Sequence, residues 1–163
     1  EDGLLARSGT INEELLTVLN QISYYKNPHP KSLGKEWVDK NIKPIIKMSN
    51  ISYPDKLCTY SEHIALQINQ ALERLPKENL KQSILVTGGG TYNNYLVERL
   101  KKHMASTNVV VVIPDKELIK YKEALAFCLL GVLRVRNEVN CLSSSTGSRA
   151  DNVGGALYGV WKG

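Results

Sequence analysis

Long apolar runs are missing from this 163-residue chain. No stretch approaches the about 20 consecutive apolar residues that cross a bilayer, and none has the make-up of a secretory leader, so no membrane is expected among its partners. Cysteine is scarce. Cys58, Cys128 and Cys141 are odd in number, far apart, and form no Cys-x-x-Cys pair. That excludes a disulfide-stapled secreted fold and fits reduced thiols in the cytoplasm. His29, His63 and His103 share no metal-ligand spacing, so all three read as surface or packing residues. A basic stripe interleaved with aromatics is also lacking. The net charge of +5 comes from lysines spread along the whole chain, which argues against nucleic acid as a partner. Asn50-Ile51-Ser52 matches a glycosylation acceptor, but without a secretory signal it reads as chance.

What is present is ordinary for a globular protein: 42% hydrophobic and 23% charged residues, in a chain long enough for one domain with a real core. No internal repeat and no second domain stand out. The chain opens on Glu1-Asp2-Gly3 rather than Met, in what reads as the middle of a turn, so we expect a piece of a longer polypeptide.

The first third reads as helical. Thr10-Ile11-Asn12-Glu13 has the form of a capping box before Leu15, Leu16, Val18, Leu19 and Ile22 at helical spacing. Asn27-Pro28-His29-Pro30 breaks that helix, and Ser32 is placed to cap a second, carrying Trp37, Val38 and Ile42 until Pro44 disturbs it. Thr59-Tyr60-Ser61-Glu62 reads as another capping box, opening a third helix with Ile64, Ala65, Ile68, Ala71, Leu72 and Leu75 on one face and Pro76 at its end.

Then the texture changes. Ile84-Leu85-Val86 and Val109 to Ile113 read as strands buried on both faces, the second stopped by Pro114. Between them lie Gly88-Gly89-Gly90 and a helical stripe of Leu96, Val97, Leu100 and Met104. Strand, glycine turn, helix and strand within about thirty residues make a βαβ unit, which predicts parallel strands. A long helix from about Glu117 to Arg136 is apolar on most sides and should pack deep. Ser143 to Ser148 reads as a loop and Gly154 to Tyr158 as a short final strand. The fold class expected is therefore α/β, a mainly parallel short sheet packed by several helices.

The glycines sit at the carboxyl end of a parallel strand, where ligands of open α/β sheets bind and where a new helix offers free N–H groups. The pattern is neither the G-x-G-x-x-G of dinucleotide sites, since Asn93 stands where the last glycine belongs, nor a phosphate loop with Lys-Ser or Lys-Thr. On pattern alone, a bound nucleotide or other phosphate competes evenly with a tight turn that binds nothing.

Five blocks, in order, resemble the anhydro-N-acetylmuramic acid kinases, members of the actin, hexokinase and Hsp70 superfamily. Leu85-Val86-Thr87-Gly88-Gly89-Gly90-Thr91-Tyr92-Asn93-Asn94 looks like their adenosine-side loop. Gly3 to Gly9 with Asn12-Glu13 resembles the stretch after their catalytic loop, and Pro30-Lys31-Ser32-Leu33-Gly34-Lys35-Glu36 resembles their Pro-Lys-Ser-Thr-Gly-Arg-Glu block. Pro114-Asp115 through Phe127 resembles their long-helix signature, and Asn140 to Gly147 their Asn-Leu-Pro-Ser-Val-Thr-Gly tail, with Ser143 where Pro is usual. The resemblance covers nearly the whole chain. It implies the C-terminal, adenosine-side lobe of an actin-like (ribonuclease H-like) kinase. Such a kinase uses ATP, Mg²⁺ and water to open anhydro-N-acetylmuramic acid and phosphorylate it to N-acetylmuramic acid 6-phosphate, in bacterial cell-wall recycling.

By the same resemblance the phosphate loop and the catalytic Asp precede this chain, so no catalytic residue is expected in it and it should be inactive without its N-terminal lobe. Gly88, Gly89 and Gly90 are the expected nucleotide contacts. Asn93 can bond the ligand or cap the next helix. Tyr92 stands where the family often has His, keeping a ring to stack on adenine. Glu123 falls on an otherwise apolar helix face, where a carboxylate is costly unless used or paired; it can contact the sugar, or bridge to Lys116 or Lys120. Lys31 is placed to reach substrate, while Ser32 and Asp115 read as helix caps. The apolar faces leave a homodimer open. The competing function is a non-catalytic nucleotide- or sugar-binding module of the same fold. A dinucleotide-binding α/β domain is weaker, with Asp115 as its one supporting residue.

Overall fold

The computed structural model describes residues 2–28, 31–74, 82–105, 107 and 109–159. The elements run α1 (Leu4–Arg7), α2 (Glu13–Asn20), a 3₁₀ turn (Ser23–Lys26), α3 (Lys35–Asn41), α4 (Lys43–Met48), α5 (Tyr53–Glu73), β1 (Gln82–Leu85), a second 3₁₀ turn (Gly89–Tyr92), α6 (Asn94–Met104), β2 (Val109–Val112), α7 (Lys116–Val135) and α8 (Ser143–Thr146). They divide into two compact units, residues 1–27 with 32–114, and residues 28–31 with 115–163.

The helix starts differ from those expected, and the side chains show why. Asn12, not Thr10, caps α2, its Oδ1 accepting from the Leu15 N–H at 2.8 Å. The Thr10 N–H donates instead to Asp55 Oδ1 (2.7 Å), and Thr59 Oγ1 accepts from the Asn12 N–H (2.9 Å). Thr59 to Glu62 therefore open no helix. They lie inside α5, with Thr59, Ser61 and Glu62 buried, and α5 begins at Tyr53 behind its cap Ser52, whose hydroxyl accepts from the Asp55 N–H. Ser52-Tyr53-Pro54-Asp55 itself has the Ser-x-x-Asp form of a capping box, with Pro in the first turn. Ser32 caps nothing. Gly34 precedes α3, and the Ser32 carbonyl accepts from the Tyr24 hydroxyl at 2.6 Å. The break near Pro44 is present, Ile42 separating α3 from α4 with Pro44 in the first turn of α4. Pro76 lies outside the described residues; α5 itself closes at Glu73 with Arg74 as its C-cap.

In the first unit α5 is the central element, and it packs on two sides. On one, Tyr60 joins a cluster centred on Leu15, Leu19 and Ile42, with Trp37, Val38, Ile45 and Ile46 around it. On the other, Ala65 meets Leu100 and Met104 of α6, with Ile84, Val109 and Val111 of the sheet closing the cluster. Burying each large side chain contributes about 1.5–3 kcal/mol, so α6 is held between α5 and the sheet mainly by these contacts.

The expected parallel pair is present: Gln82 pairs with Val109 and Leu85 with Val112, extended by the Val86 N–H donating to the Val112 carbonyl at 2.9 Å. Burial on both faces is not. Ile84, Val109 and Val111 face the core, whereas Leu85 (54% exposed), Val110 and Val112 face outward. An apolar run marks strand residues but cannot say how many layers cover them.

In the second unit α7 is not packed deep, contrary to what its apolar sequence predicts. Instead Ile119 is its buried residue, and Leu125, Phe127, Leu129 and Val132 are exposed. Against α7 lies the segment from Asn140 to Leu157. Asn140 Nδ2 donates to the carbonyls of Leu130 and Gly154 (3.2 Å each) and Oδ1 accepts from the Gly154 N–H at 2.7 Å, while Arg134 Nε donates to the Gly155 carbonyl at 2.9 Å. That clasp, with left-handed Gly155 and Gly159, takes the place of the strand expected at Gly154 to Tyr158. The stretch expected to be a loop at Ser143 contains the short α8, whose Ser143 N–H and hydroxyl both donate to Asp151 Oδ1.

Candidate functional site

The triple glycine sits where the sequence places it, between the end of β1 and the start of α6. Gly88 has φ 83° and ψ −174°, a backbone state that essentially only glycine adopts. Its carbonyl accepts from the Thr91 N–H (3.1 Å) and from the buried Thr91 hydroxyl (2.6 Å), which tightens the turn. Asn93 resolves to a cap: its Oδ1 accepts from the Leu96 N–H at 3.1 Å, and its own N–H donates to the Gly90 carbonyl.

Gly89 and Gly90 are a different matter. Neither has a positive φ, and a Cβ built on either would meet nothing within 4 Å. Among the described residues their N–H groups have no acceptor. Among the described residues nothing requires glycine at these two positions. Gly89 borders an open cavity of about 530 Å³ whose lining, among the described residues, also includes Asp2, Gly3, Tyr92 and Asn93. Asp2 and Gly3 are not among the site residues expected from sequence, where Glu1-Asp2-Gly3 reads as a turn and Gly3 opens a block of family resemblance. Gly3, at φ 75°, is locked against the site, since a Cβ there would stand 2.1 Å from Asn93 Oδ1 and 2.8 Å from Tyr95 Cβ.

Charged groups fix the helix that carries this turn. Arg7 Nη2 pairs with Glu98 at 2.6 Å on the exposed side of α6. On the buried side Glu62 of α5 receives Arg99 through one carboxylate oxygen, and its other oxygen is 2.9 Å from His103 Nε2. Burial works against the charged form of Glu62, but the hydrogen bonds from Arg99 and His103 outweigh it and hold the carboxyl below its ordinary range. Read as the far end of a capping box, Glu62 is in fact the hub of a buried ion cluster. Beside it Cys58 Sγ and Tyr95 Oη lie 3.1 Å apart, and burial, then the contact with Cys58, push the Tyr95 phenol up to about 12. The three cysteines are free thiols.

Of the histidines, His63 is a packing residue with a defined network. It is 1% exposed, with Nδ1 2.7 Å from Asn20 Oδ1 and Nε2 3.0 Å from the Tyr25 hydroxyl, and burial pushes it down to about 4. His29 lies outside the described residues. Asp115 is the N-cap of α7, accepting from the Leu118 N–H at 2.7 Å. Glu123 is neither buried nor bridged to Lys116 or Lys120: its side chain is 81% exposed and lies 3.3 Å from Lys122 Nζ. Lys31, like Glu123, belongs to the second unit, whereas the glycines and Asn93 belong to the first. Among the described residues no group of His, Cys, Asp and Glu is arranged to hold a metal, and no helix is long and apolar enough to cross a membrane.

Residues 1–160 match the family profile described as "Anhydro-N-acetylmuramic acid kinase". Curated relatives of that name include one from Hydrogenovibrio crunogenus, 32% identical over 162 residues, covering 96% of this chain and 43% of the relative. Others come from Mannheimia succiniciproducens (31% identical, 97% of this chain, 44% of the relative) and Sulfurimonas denitrificans (29% identical, 97% and 44%). The chain thus spans well under half the length of the curated relatives it matches.

Proposed function

The chain belongs to the anhydro-N-acetylmuramic acid kinase family, and from that premise we propose that it forms the adenosine side of the kinase's ATP cleft, in an actin-like lobe. The observation that carries this is the pair Gly89 and Gly90, with space where side chains would stand and N–H groups that, among the described residues, meet no acceptor. Glycine there lets a ligand approach the backbone, and the α6 N-terminus beside it favours an electron-rich or anionic group. Tyr92, half-exposed on the same cavity, offers a ring face to a base.

The reaction proposed for the whole protein adds water at the anomeric carbon of anhydro-N-acetylmuramic acid. The bond from that carbon to the 6-oxygen breaks, and the 6-oxygen takes the γ-phosphoryl group of ATP, leaving N-acetylmuramic acid 6-phosphate and ADP. The base and the phosphate loop are assigned to polypeptide outside this chain, as are the ligands of Mg²⁺. Lys31 and Glu123 remain proposed sugar contacts. The exposed Glu123 is available to a substrate, and its weak pairing with Lys122 does not hold it elsewhere. The outward apolar face of β1 and β2 supports a role for a further lobe packed on it, and a homodimer is the other covering we propose to test. The setting proposed is the bacterial cytoplasm.

The test is a calorimetric titration of ADP with Mg²⁺ into this chain and into the complete natural polypeptide, with NAD as competitor and Gly89→Val as control. Binding of ADP that the Val side chain abolishes is the expected result. Binding untouched by Val, or preference for NAD, overturns the reading. Kinase turnover is expected from the complete polypeptide alone; turnover by this chain by itself would sink the assignment of the base and phosphate loop elsewhere.

A further inference from the structure

We propose that Asp2 is a specificity-determining residue that accepts the ribose hydroxyls of the bound nucleotide, an inference that rests on reading the glycine turn as the nucleotide site. Among the described residues that line the cavity, Asp2 is the charged one. Among the described residues its carboxylate makes no hydrogen bond or ion pair. Asn93, the other polar side chain of the lining able to accept strongly, has its Oδ1 committed to the Leu96 N–H. A carboxylate only accepts, so its partner must donate, and a vicinal diol offers two adjacent O–H groups to two carboxylate oxygens.

The placement of Asp2 is built rather than incidental. Its backbone is left-handed, φ 61°, an uncommon state for a residue with a side chain. The next residue, Gly3, also left-handed, is locked against Asn93 and Tyr95 with no room for a Cβ. The strained turn is thereby pinned to the N-terminus of α6, and Asp2 is presented at the cavity that Gly89 and Tyr92 border. The charges order the ligand. Phosphate is repelled by Asp2 and favoured by the free N–H groups of Gly89 and Gly90, so the sugar, not the phosphate chain, belongs beside Asp2. The same hydroxyl chemistry could be supplied by the amino sugar, and the choice of probes separates the two sources.

The experiment titrates ADP and 2′,3′-dideoxy-ADP, each with Mg²⁺, and separately anhydro-N-acetylmuramic acid, into the complete natural polypeptide and its Asp2→Ala, Asp2→Asn and Gly89→Val variants. Hydrogen bonds to a charged acceptor predict that the unaltered protein prefers ADP by about tenfold or more. Asp2→Ala should erase that preference by weakening ADP alone. Asp2→Asn, which tolerates the left-handed backbone and keeps one acceptor, should retain part of it, and unchanged thermal midpoints in both variants separate recognition from folding. If ADP binds and Gly89→Val weakens it, yet the preference survives Asp2→Ala, the proposal fails and the glycine site stands. If Asp2→Ala instead weakens the amino sugar and leaves ADP alone, the carboxylate serves the sugar and the ribose assignment is overturned. If ADP fails to bind or Gly89→Val is silent, the site reading fails, and this inference with it.

Discussion

Gly3 and Gly9 contrast with Gly89 and Gly90. At Gly9 a Cβ would stand 2.3 Å from the Pro54 carbonyl oxygen and 2.7 Å from the Asp55 nitrogen; at Gly3 it would run into Asn93. These two are glycine because the chain packs on itself, α1 and the segment after it lying along the start of α5. At Gly89 and Gly90 a Cβ meets nothing. Identical residues thus answer to different constraints. One pair is fixed by internal contact, and its loss should be felt as instability. The other is free internally, and its loss should be felt by a ligand.

The sharpest way to break the contrast is Gly9→Ala. Its methyl would press on backbone, which cannot rotate away, so about 3 kcal/mol of stability should be lost, measured by denaturant unfolding. A change under about 0.5 kcal/mol would show that the α1–α5 contact yields and that the packed class is not real. Next, Glu62→Leu leaves the Arg99 guanidinium, 17% exposed, without its carboxylate. It should also cost about 3 kcal/mol, with ADP binding weakened in proportion as α6 loses its clamp. Loss of stability with full binding would separate the clamp from the site.

A smaller effect follows from His63. Held neutral in the fold at about 4 by burial, it takes up a proton near 6.5 once unfolded. Between those values the unfolded chain binds more protons, so stability falls as pH drops from 6.5 toward about 4, by at most about 1.4 kcal/mol per pH unit. Glu62, its pKa lowered, acts in the same direction further down. Unfolding midpoints across that window, with His63→Phe as the comparison, check the slope. The smallest stability effect is expected at Gly90→Ala: within about 0.5 kcal/mol, or a gain of up to about 1 kcal/mol from a less flexible unfolded chain, alongside weakened ADP binding. A large loss of stability there would place Gly90 with Gly9.

Much of the candidate site was legible in the sequence because it is local. An apolar run, three glycines and a helical stripe are neighbours in the chain, and a βαβ unit brings its own parts together through short connections. Asn93 and Asp115 were legible as caps for the same reason, since a cap bonds a backbone N–H three residues on. Thr10, Thr59 and Glu62 misled because they answer to partners 37 to 47 residues away: the Thr10 N–H to Asp55, the Thr59 hydroxyl to the Asn12 N–H, and the Glu62 carboxylate to Arg99. Ser32 misled because a cap needs the helix to begin within reach, and α3 begins after Gly34.

By itself the sequence determined the strand, glycine turn, helix and strand order from β1 to β2, their parallel pairing, the long helix after them, and the family. Periodicity and turn chemistry act over a few residues and leave their mark in the chain. Tertiary structure alone decided that Asp2 and Gly3 border the cavity about ninety residues later in the chain, that Glu62 is a buried hub, and that Gly89 and Gly90 face open space while Gly3 and Gly9 do not. Those are facts of contact between distant segments, and contact depends on how whole elements pack, which no local pattern encodes.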